Sequence, residues 1–222
     1  MKRLECRAIL FDLDGVLVDS ANHVEEQWRR WALSKGVSPE PFLRVCHGRR
    51  ALETIQLAAP QLDAEAEIAA FVPDETSDRV ALKPIEGASR LLNQLPPGSW
   101  AVATSGGRRT ARARLSRAGL PIPDVLVCAE DVTHGKPSPD VYLKAAEALR
   151  MLPSECLVIE DAPAGVQAAR AAGIRVVALT TTHDPHDLEA DVLATTLMAV
   201  HLGRIDLGPR GAPLLELLIV DM

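Results

Sequence analysis

The stretch Phe11–Ser20 reads FDLDGVLVDS and directly follows the apolar run Ala8–Leu10. The carboxylates of Asp12 and Asp14 therefore stand at the end of a predicted buried strand, and residues two apart in an extended chain point the same way. Open parallel sheets present their functional groups at such strand ends. A pair of carboxylates facing one cavity can bind a hard cation and carry out nucleophilic or acid–base chemistry. Gly15 allows a sharp backbone turn beside this pair.

A second polar group follows the predicted strand Trp100–Ala103, where Thr104 and Ser105 precede Gly106 and Gly107. A hydroxyl at a strand end, followed by small residues and a helix, is typical of a phosphate-binding turn, because free backbone N–H groups and the helix N-terminus both favour an anion. The pattern predicts that Thr104 binds phosphate through its side chain. Ser105 and Gly106 are predicted to add backbone contacts.

Lys136 stands between Gly135 and Pro137, just before a predicted helix. Because Pro137 restricts the backbone, the lysine is expected to be held in place rather than free in solvent. An ammonium held there can neutralise a carboxylate–phosphate pair and stabilise charge during group transfer.

The predicted strand Cys156–Ile159 ends in two further acids, Glu160 and Asp161. Asp161 is placed to join Asp12 around one cation, with the backbone carbonyl of Asp14 as a third ligand and Glu160 as a direct or water-mediated ligand. All of these ligand atoms are oxygens and few are available, so Mg²⁺ with retained waters fits best. Asp161 also suits the N-cap of the following helix, and the two interpretations are compatible.

The apolar runs after residue 84 are continuous rather than alternating, as in strands that are covered on both faces. They are Trp100–Ala103, Val125–Cys128, Cys156–Ile159, Arg175–Leu179 and a possible last strand at Asp191–Ala194. Ala-rich helical patterns separate them. The sequence therefore predicts an α/β fold with a doubly wound parallel sheet of the Rossmann-like kind.

Residues 18–83 interrupt this alternation of strands and helices, because their pattern is helical throughout. Trp28 and Trp31 recur at helical spacing in a helix that Gly36 is expected to end, and Asp63 is expected to begin a later helix extending to Val72. This block predicts a small α-helical cap domain at 18–83, inserted into a core domain formed by 1–17 and 84–222. A cap that closes over the strand ends is where substrate selection is expected.

The charge pattern excludes some functions. The 222 residues carry a formal net charge of −6 without a basic block, which argues against a nucleic-acid partner. Five arginines do cluster within one predicted helix, and the simplest interpretation is a solvated face. They are Arg108, Arg109, Arg112, Arg114 and Arg117.

Cysteine spacing and apolar run length indicate a cytoplasmic protein. None of the four cysteines forms a C-x-x-C pair, no signal peptide precedes them, and Cys6, Cys128 and Cys156 are expected to be small buried hydrophobes in a reducing compartment. No apolar run is long enough to span a bilayer. The short run Leu214–Val220 is expected to be a packed tail or a partner contact.

Taken together, the four strand-end motifs resemble those of the haloacid dehalogenase superfamily, whose first motif has the pattern hhhhDxDG. The resemblance implies a Mg²⁺-dependent phosphohydrolase that works through an aspartyl-phosphate. In that mechanism Asp12 is the nucleophile, and Asp14 protonates the leaving group and later deprotonates water. Thr104 and Lys136 complete the catalytic set. The dehalogenases of the superfamily lack an acid at the position of Asp14, which argues against carbon–halogen cleavage.

The resemblance is strongest to sugar-phosphate and glycerol-phosphate phosphatases, which implies a small phosphorylated metabolite as substrate. Gly48 and Arg49 fall where cap residues of such enzymes meet the substrate. The alternative is β-phosphoglucomutase, which carries a histidine on its first cap helix where Val24 stands here, with His23 one residue before. That offset favours hydrolysis. A catalytically silent binding module is disfavoured because the motif residues are all present.

Overall fold

The computed structural model describes residues 1–71, 82–207 and 213–220. Its strands are β1 (Lys2–Cys6), β2 (Ala8–Phe11), β3 (Val18–Asp19), β4 (Lys83–Pro84), β5 (Trp100–Ala103), β6 (Leu126–Val127), β7 (Cys156–Glu160), β8 (Arg175–Leu179), β9 (Val192–Ala194), β10 (Val200–Leu207) and β11 (Pro213–Ile219). Its α-helices are α1 (Ala21–Ser34), α2 (Glu40–Leu43), α3 (Ala51–Ala58), α4 (Ala64–Phe71), α5 (Ala88–Gln94), α6 (Arg108–Arg117), α7 (Asp140–Ala148) and α8 (Pro163–Ala171).

Six of these strands form a parallel sheet in the order β6-β5-β2-β7-β8-β9. From β2 the chain adds β5 and β6 on one side and β7, β8 and β9 on the other, so the winding direction reverses at the centre of the sheet. Every residue of β2 and β7 is buried, which explains why their sequences are continuous apolar runs. The prediction of a doubly wound α/β sheet is confirmed. Ligands bind such sheets at the carboxyl ends of the strands that flank the reversal.

Each face of the parallel sheet has its own layer. Helices α7 and α8 cover one face with small residues and one large aromatic, and α5 and α6 lie on the other face. The sheet itself contributes alternating residues to both layers, for example Ile9 and Phe11 to one and Ala8 and Leu10 to the other. The abundance of alanine in α7 and α8 allows these helices to approach the sheet closely.

A second, antiparallel sheet with the order β1-β11-β10 packs against the α5 and α6 layer. Its central strand is β11, in which Leu215, Leu217 and Ile219 are fully buried and the residues between them are partly exposed. The prediction of a packed tail at Leu214–Val220 is therefore confirmed. Neither β1 nor β10 was predicted, because β1 is mostly exposed and its partner lies more than two hundred residues away in the sequence.

The inserted helices α1 to α4 begin after β3 and precede β4, and these two short strands pair with each other. Trp28, Trp31, Phe42 and Ile55 form the centre of a hydrophobic cluster whose described members all lie within residues 24–68. Gly36, with a φ of +69°, follows α1 as expected. Val72, the expected end of the helix after Asp63, lies outside the described residues. The division into a core domain (1–17 and 84–222) and a cap domain (18–83) stays a prediction.

All four cysteines are free and buried, and burial raises the pKa of each thiol to about 12. The expectation that Cys6, Cys128 and Cys156 behave as small buried hydrophobes is confirmed. Within the described ranges, no helix combines the length and apolarity that a membrane span requires.

The alternation along β11 generates a matched pair of stability predictions. Leu217→Ala removes a fully buried side chain and is expected to lower the free energy of unfolding by about 2–5 kcal/mol. Leu218→Ala changes the same residue type one position along, on the partly exposed face, and is expected to cost about 1 kcal/mol or less. Urea denaturation of both variants measures the difference. Equal losses would contradict the placement of β11 in the core.

Candidate active site at the strand ends

A buried lysine connects the carboxyl ends of β2 and β7. Lys136 Nζ donates to Asp12 Oδ1 at 2.5 Å and to Glu160 Oε1 at 2.6 Å. Asp12 directly follows β2 and Glu160 ends β7, which is the strand beside it. All three side chains are at most a few per cent exposed. The structure therefore brings together three residues that stand in three separate motifs of the sequence.

The charges of this group depend on one another. Burial would lower the pKa of Lys136, but the carboxylates of Asp12 and Glu160 raise it above the usual range, so the lysine stays an ammonium. Burial opposes ionisation of Glu160 as well, yet Lys136 and two backbone N–H groups hold its pKa below the usual value. For Asp12 burial dominates and raises the pKa, even though Lys136 opposes the shift. A further cation nearby would keep Asp12 ionised.

Tyr142 on α7 belongs to the same group of side chains, although no sequence motif indicated it. Its hydroxyl donates to Glu160 Oε1 at 2.8 Å, and its ring centre lies 4.9 Å from Lys136 Nζ. Burial and the adjacent Glu160 carboxylate raise the pKa of Tyr142 well above its usual value. One available signal was that a single tyrosine occurs in the whole chain, and it lies in an Ala-rich helix six residues after Lys136.

Glu160 is also fixed by the backbone that follows it. Its Oε2 accepts hydrogen bonds from the N–H groups of Asp161 at 2.7 Å and Ala162 at 2.9 Å. A Cβ at Gly165, in the first turn of α8, would lie 1.6 Å from Glu160 Oε1, so this position requires glycine. The N-cap of α8 is Ala162, so the interpretation of Asp161 as a helix cap is wrong. Asp161 instead accepts a hydrogen bond from the Thr182 hydroxyl.

Three carboxylates at this edge could hold a metal ion. Asp12, Glu160 and Asp161 each offer an oxygen, and these oxygens lie within 4.8 Å of one another. Burial, and then the charges of Glu160 and Asp12, raise the pKa of Asp161 well above its usual value. A divalent cation would relieve that repulsion, and an all-oxygen ligand set suits Mg²⁺. The residues therefore fit the predicted metal, and the carbonyl of Asp14 as a further ligand stays a prediction.

The predicted phosphate-binding turn follows β5, which is the other neighbour of β2. Thr104 is buried, and its Oγ1 accepts a hydrogen bond from the N–H of Gly106 at 3.0 Å. The hydroxyl of Ser105 donates to the carbonyl of Gly48 at 2.9 Å. Helix α6 starts immediately after the turn, with Gly107 as its N-cap. The turn thus lies beside Asp12 at the same edge of the sheet.

Asp14 is held on both of its carboxylate oxygens. Ser20 Oγ donates to Oδ1 at 2.5 Å, and an Arg114 guanidinium nitrogen lies 2.7 Å from Oδ2. Gly15, which follows Asp14, lies close to the Asp161 carboxylate. A Cβ at Gly15, whose φ is +78°, would lie 2.1 Å from Asp161 Oδ2. Only glycine fits there.

The interpretation of the arginine cluster as a solvated face is wrong for Arg114. This side chain is 5% exposed and pairs with Asp14, whereas Arg108, Arg109 and Arg112 are exposed as expected. The difference arises because Arg114 shares the inward face of α6 with Ala111 and Leu115.

The loop before α3 meets the core, but the two cap residues predicted to bind substrate differ in their placement. Gly48 contacts the phosphate-binding turn through the Ser105 hydrogen bond. Arg49 donates to the Val45 carbonyl within the inserted helices at 3.4 Å. Its neighbour Arg50 instead reaches the core, where it donates to the carbonyls of Val132 and Thr133 at 3.1 Å each. A substrate-binding role for Gly48 and Arg49 stays a prediction.

Comparison with known proteins agrees with this geometry. Residues 6–173 match the family model described as haloacid dehalogenase-like hydrolase. Hexitol phosphatase A of Escherichia coli (strain K12) is 40% identical over 200 residues, which span 87% of this chain and 93% of that protein. Validoxylamine A 7'-phosphate phosphatase of Streptomyces hygroscopicus subsp. limoneus is 42% identical over 214 residues, with 89% and 98% covered.

A solved structure shares the fold. The putative β-phosphoglucomutase from Bacteroides vulgatus superposes with a TM-score of 0.71 at 32% sequence identity, covering 86% of this chain and 84% of that one. The match extends over phosphatases and a mutase alike, so the fold by itself does not decide between the two reactions.

Tyr142 provides a direct optical test of the buried network. Because the phenol is buried and lies against the Glu160 carboxylate, its pKa is raised and it is expected to stay neutral in the folded protein well above pH 10. In 6 M guanidinium chloride it should titrate near pH 10, its value in an unfolded chain. The unfolded state then loses a proton that the folded state keeps, so this residue makes stability fall as the pH rises above about 10.

Absorbance at 295 nm follows the single tyrosine in both states. A folded protein whose tyrosine ionises near pH 10 would contradict the geometry.

Proposed function

The chain belongs to the haloacid dehalogenase-like hydrolases, and from that premise we propose that it is a Mg²⁺-dependent phosphatase of small sugar or polyol phosphates. The observation that carries the proposal is the buried contact of Lys136 with Asp12, beside a turn suited to phosphate. A nucleophilic carboxylate next to a fixed ammonium is what in-line attack on a phosphoryl group requires.

Asp12 acts as the nucleophile in this proposal. One of its carboxylate oxygens forms a bond to phosphorus as the ester P–O bond breaks, and the leaving oxygen takes a proton from Asp14. Water then attacks the phosphorus of the aspartyl-phosphate and gives a proton to Asp14, the P–O bond to Asp12 breaks, and inorganic phosphate leaves with the Asp12 carboxylate restored. Lys136 and the phosphate-binding turn at Thr104 neutralise and orient the transferred group in both steps.

Asp12, Asp161 and Glu160, with the Asp14 carbonyl, are the residues that would hold Mg²⁺. When bound, the ion supplies positive charge that offsets the repulsion between Asp12 and the phosphate. The role of Glu160 is then twofold, because the same side chain accepts hydrogen bonds from Lys136 and Tyr142. It thereby fixes the ammonium that faces Asp12.

A phosphorylated hexitol, sugar or similar polyol is the substrate class that the comparisons support best. The two relatives are named for phosphatase activity on a hexitol phosphate and on validoxylamine A 7'-phosphate. The contact of Gly48 with Ser105 brings the inserted helices directly over the phosphate-binding turn. A site covered in this way favours a small metabolite over a macromolecule as substrate.

Phosphosugar mutase activity is the second candidate, since a putative β-phosphoglucomutase is among the similar structures. By the resemblance described in the sequence analysis, the position that carries a histidine in β-phosphoglucomutases is Val24 here. The neighbouring His23 is buried in α1, with its Nε2 3.1 Å from the Gln27 amide nitrogen. This engagement within α1 favours hydrolysis. A silent binding module is disfavoured because Asp12, Asp14 and Lys136 are all present and Lys136 contacts Asp12.

A substrate panel tests the reaction class. With Mg²⁺, we expect phosphate release from hexitol phosphates, glycerol phosphates or hexose 6-phosphates with a clear preference for one of them, and none in EDTA because the acidic cluster then lacks its counter-charge. Phosphate is measured colorimetrically. If no ester of the panel releases phosphate and β-glucose 1-phosphate is converted to glucose 6-phosphate, the protein is a mutase instead.

Asp12→Asn tests the nucleophile. The amide preserves the side-chain shape but removes the attacking carboxylate, so phosphate release is expected to fall by at least about 10³-fold. The control is Asp19→Asn, which changes an exposed aspartate of the same segment and should keep the wild-type rate. Circular dichroism verifies that both variants are folded. Turnover by Asp12→Asn at the wild-type rate would show that another residue is the nucleophile.

A further inference from the structure

Arg114, which lies outside the four motifs, forms an ion pair with Asp14 of the first motif. Arg114 is buried within α6, and its guanidinium lies 2.7 Å from Asp14 Oδ2 while Ser20 Oγ lies 2.5 Å from Oδ1. Asp14 itself is partly exposed, with 24% of its side chain accessible. Asp14 Oδ2 can accept a hydrogen bond from this guanidinium whether or not Oδ1 carries a proton, so the contact fixes the carboxyl group in both of the states that proton transfer requires.

Helix α6 links this ion pair to the phosphate-binding turn. The helix begins directly after Gly107, and Arg114 lies about two turns further along it. Ala111 and Leu115, which are fully buried, anchor the same face of the helix in the core. One helix and one ion pair therefore connect the phosphate-binding turn to the Asp14 carboxylate.

We propose that Arg114 is a positioning residue for proton transfer by Asp14, and the proposal rests on the phosphatase function given above. Arg114 does not touch the substrate. Together with Ser20 it restricts rotation of the Asp14 carboxyl group, so that the proton passes to the leaving oxygen as the ester P–O bond breaks and its electron pair moves to that oxygen. Proton transfer is sensitive to such placement, because an error of about 1 Å can cost two orders of magnitude in rate.

This role makes a prediction that depends on the leaving group. A sugar or polyol alkoxide needs the proton of Asp14 as it departs, whereas p-nitrophenolate or acetate leaves as a stable anion without one. Loss of Arg114 should therefore impair the first kind of substrate much more than the second. The quantity to compare is kcat/KM, because it reports the steps up to departure of the leaving group and excludes hydrolysis of the intermediate.

The experiment measures kcat/KM of Arg114→Met for the preferred polyol or sugar phosphate and for p-nitrophenyl phosphate, or acetyl phosphate if the aryl ring is not accepted. The expected loss is about 10- to 100-fold for the first and less than about 3-fold for the second. Arg114→Lys, which keeps the positive charge, should recover part of the loss. Arg112→Met, an exposed change on the same helix, should leave both values unchanged.

Ser20→Ala provides a second variant if Arg114→Met does not fold. Ser20 precedes α1 without a side-chain capping bond, so alanine there chiefly removes the hydrogen bond to Asp14. For Ser20→Ala too, kcat/KM is expected to fall much more for the polyol or sugar phosphate than for p-nitrophenyl phosphate or acetyl phosphate. Equal losses with both substrates, or no loss, would overturn the positioning role while the phosphatase activity of the wild type stands. A wild-type protein that releases no phosphate from any ester would instead overturn the proposed function itself.

Discussion

The buried ammonium of Lys136 is the interaction on which the strand-end arrangement depends. Asp12, Glu160 and Asp161 lie within a few ångströms of one another in a region that excludes water, and like charges at that distance repel strongly. Lys136 compensates two of them directly. Removal of one partner from a buried ion pair costs about 3–5 kcal/mol, so the fold and the proposed chemistry constrain the same residue. The remaining negative charge is what makes the site suitable for a divalent cation.

The parallel sheet determines where the functional side chains lie, and the turns after its strands carry those side chains. Because β5 and β7 flank β2, the residues after these three strands meet at one edge, although they are separated by up to about 150 positions in the chain. Close approach is possible only because Gly15 and Gly165 leave room for the carboxylates of Asp161 and Glu160. Any side chain at these two positions would displace a charged group that the site requires.

Much of this arrangement could be predicted from the sequence because the relevant signals are local. The strands β5 and β8 were predicted with the bounds that the structure gives them, and Asp12 and Lys136 were each predicted to belong to the site from motifs at strand ends. The β1-β11-β10 sheet was not predicted, since pairing between the first and last segments leaves no short-range pattern. Arg114 and Tyr142 were missed for a related reason. An arginine in a basic helix and a tyrosine in an Ala-rich one become informative only when the fold shows that they are buried against Asp14 and Glu160.

The most direct test of the central claim is to identify the residue that carries phosphate during turnover. The reaction with the preferred phosphate ester is quenched and treated with borohydride, which reduces an acyl phosphate of aspartate to homoserine, and the peptides are analysed by mass spectrometry. The account predicts homoserine at Asp12 when substrate is present and unmodified aspartate when it is omitted. Phosphate trapped on another residue, or homoserine at Asp14 in place of Asp12, would contradict it.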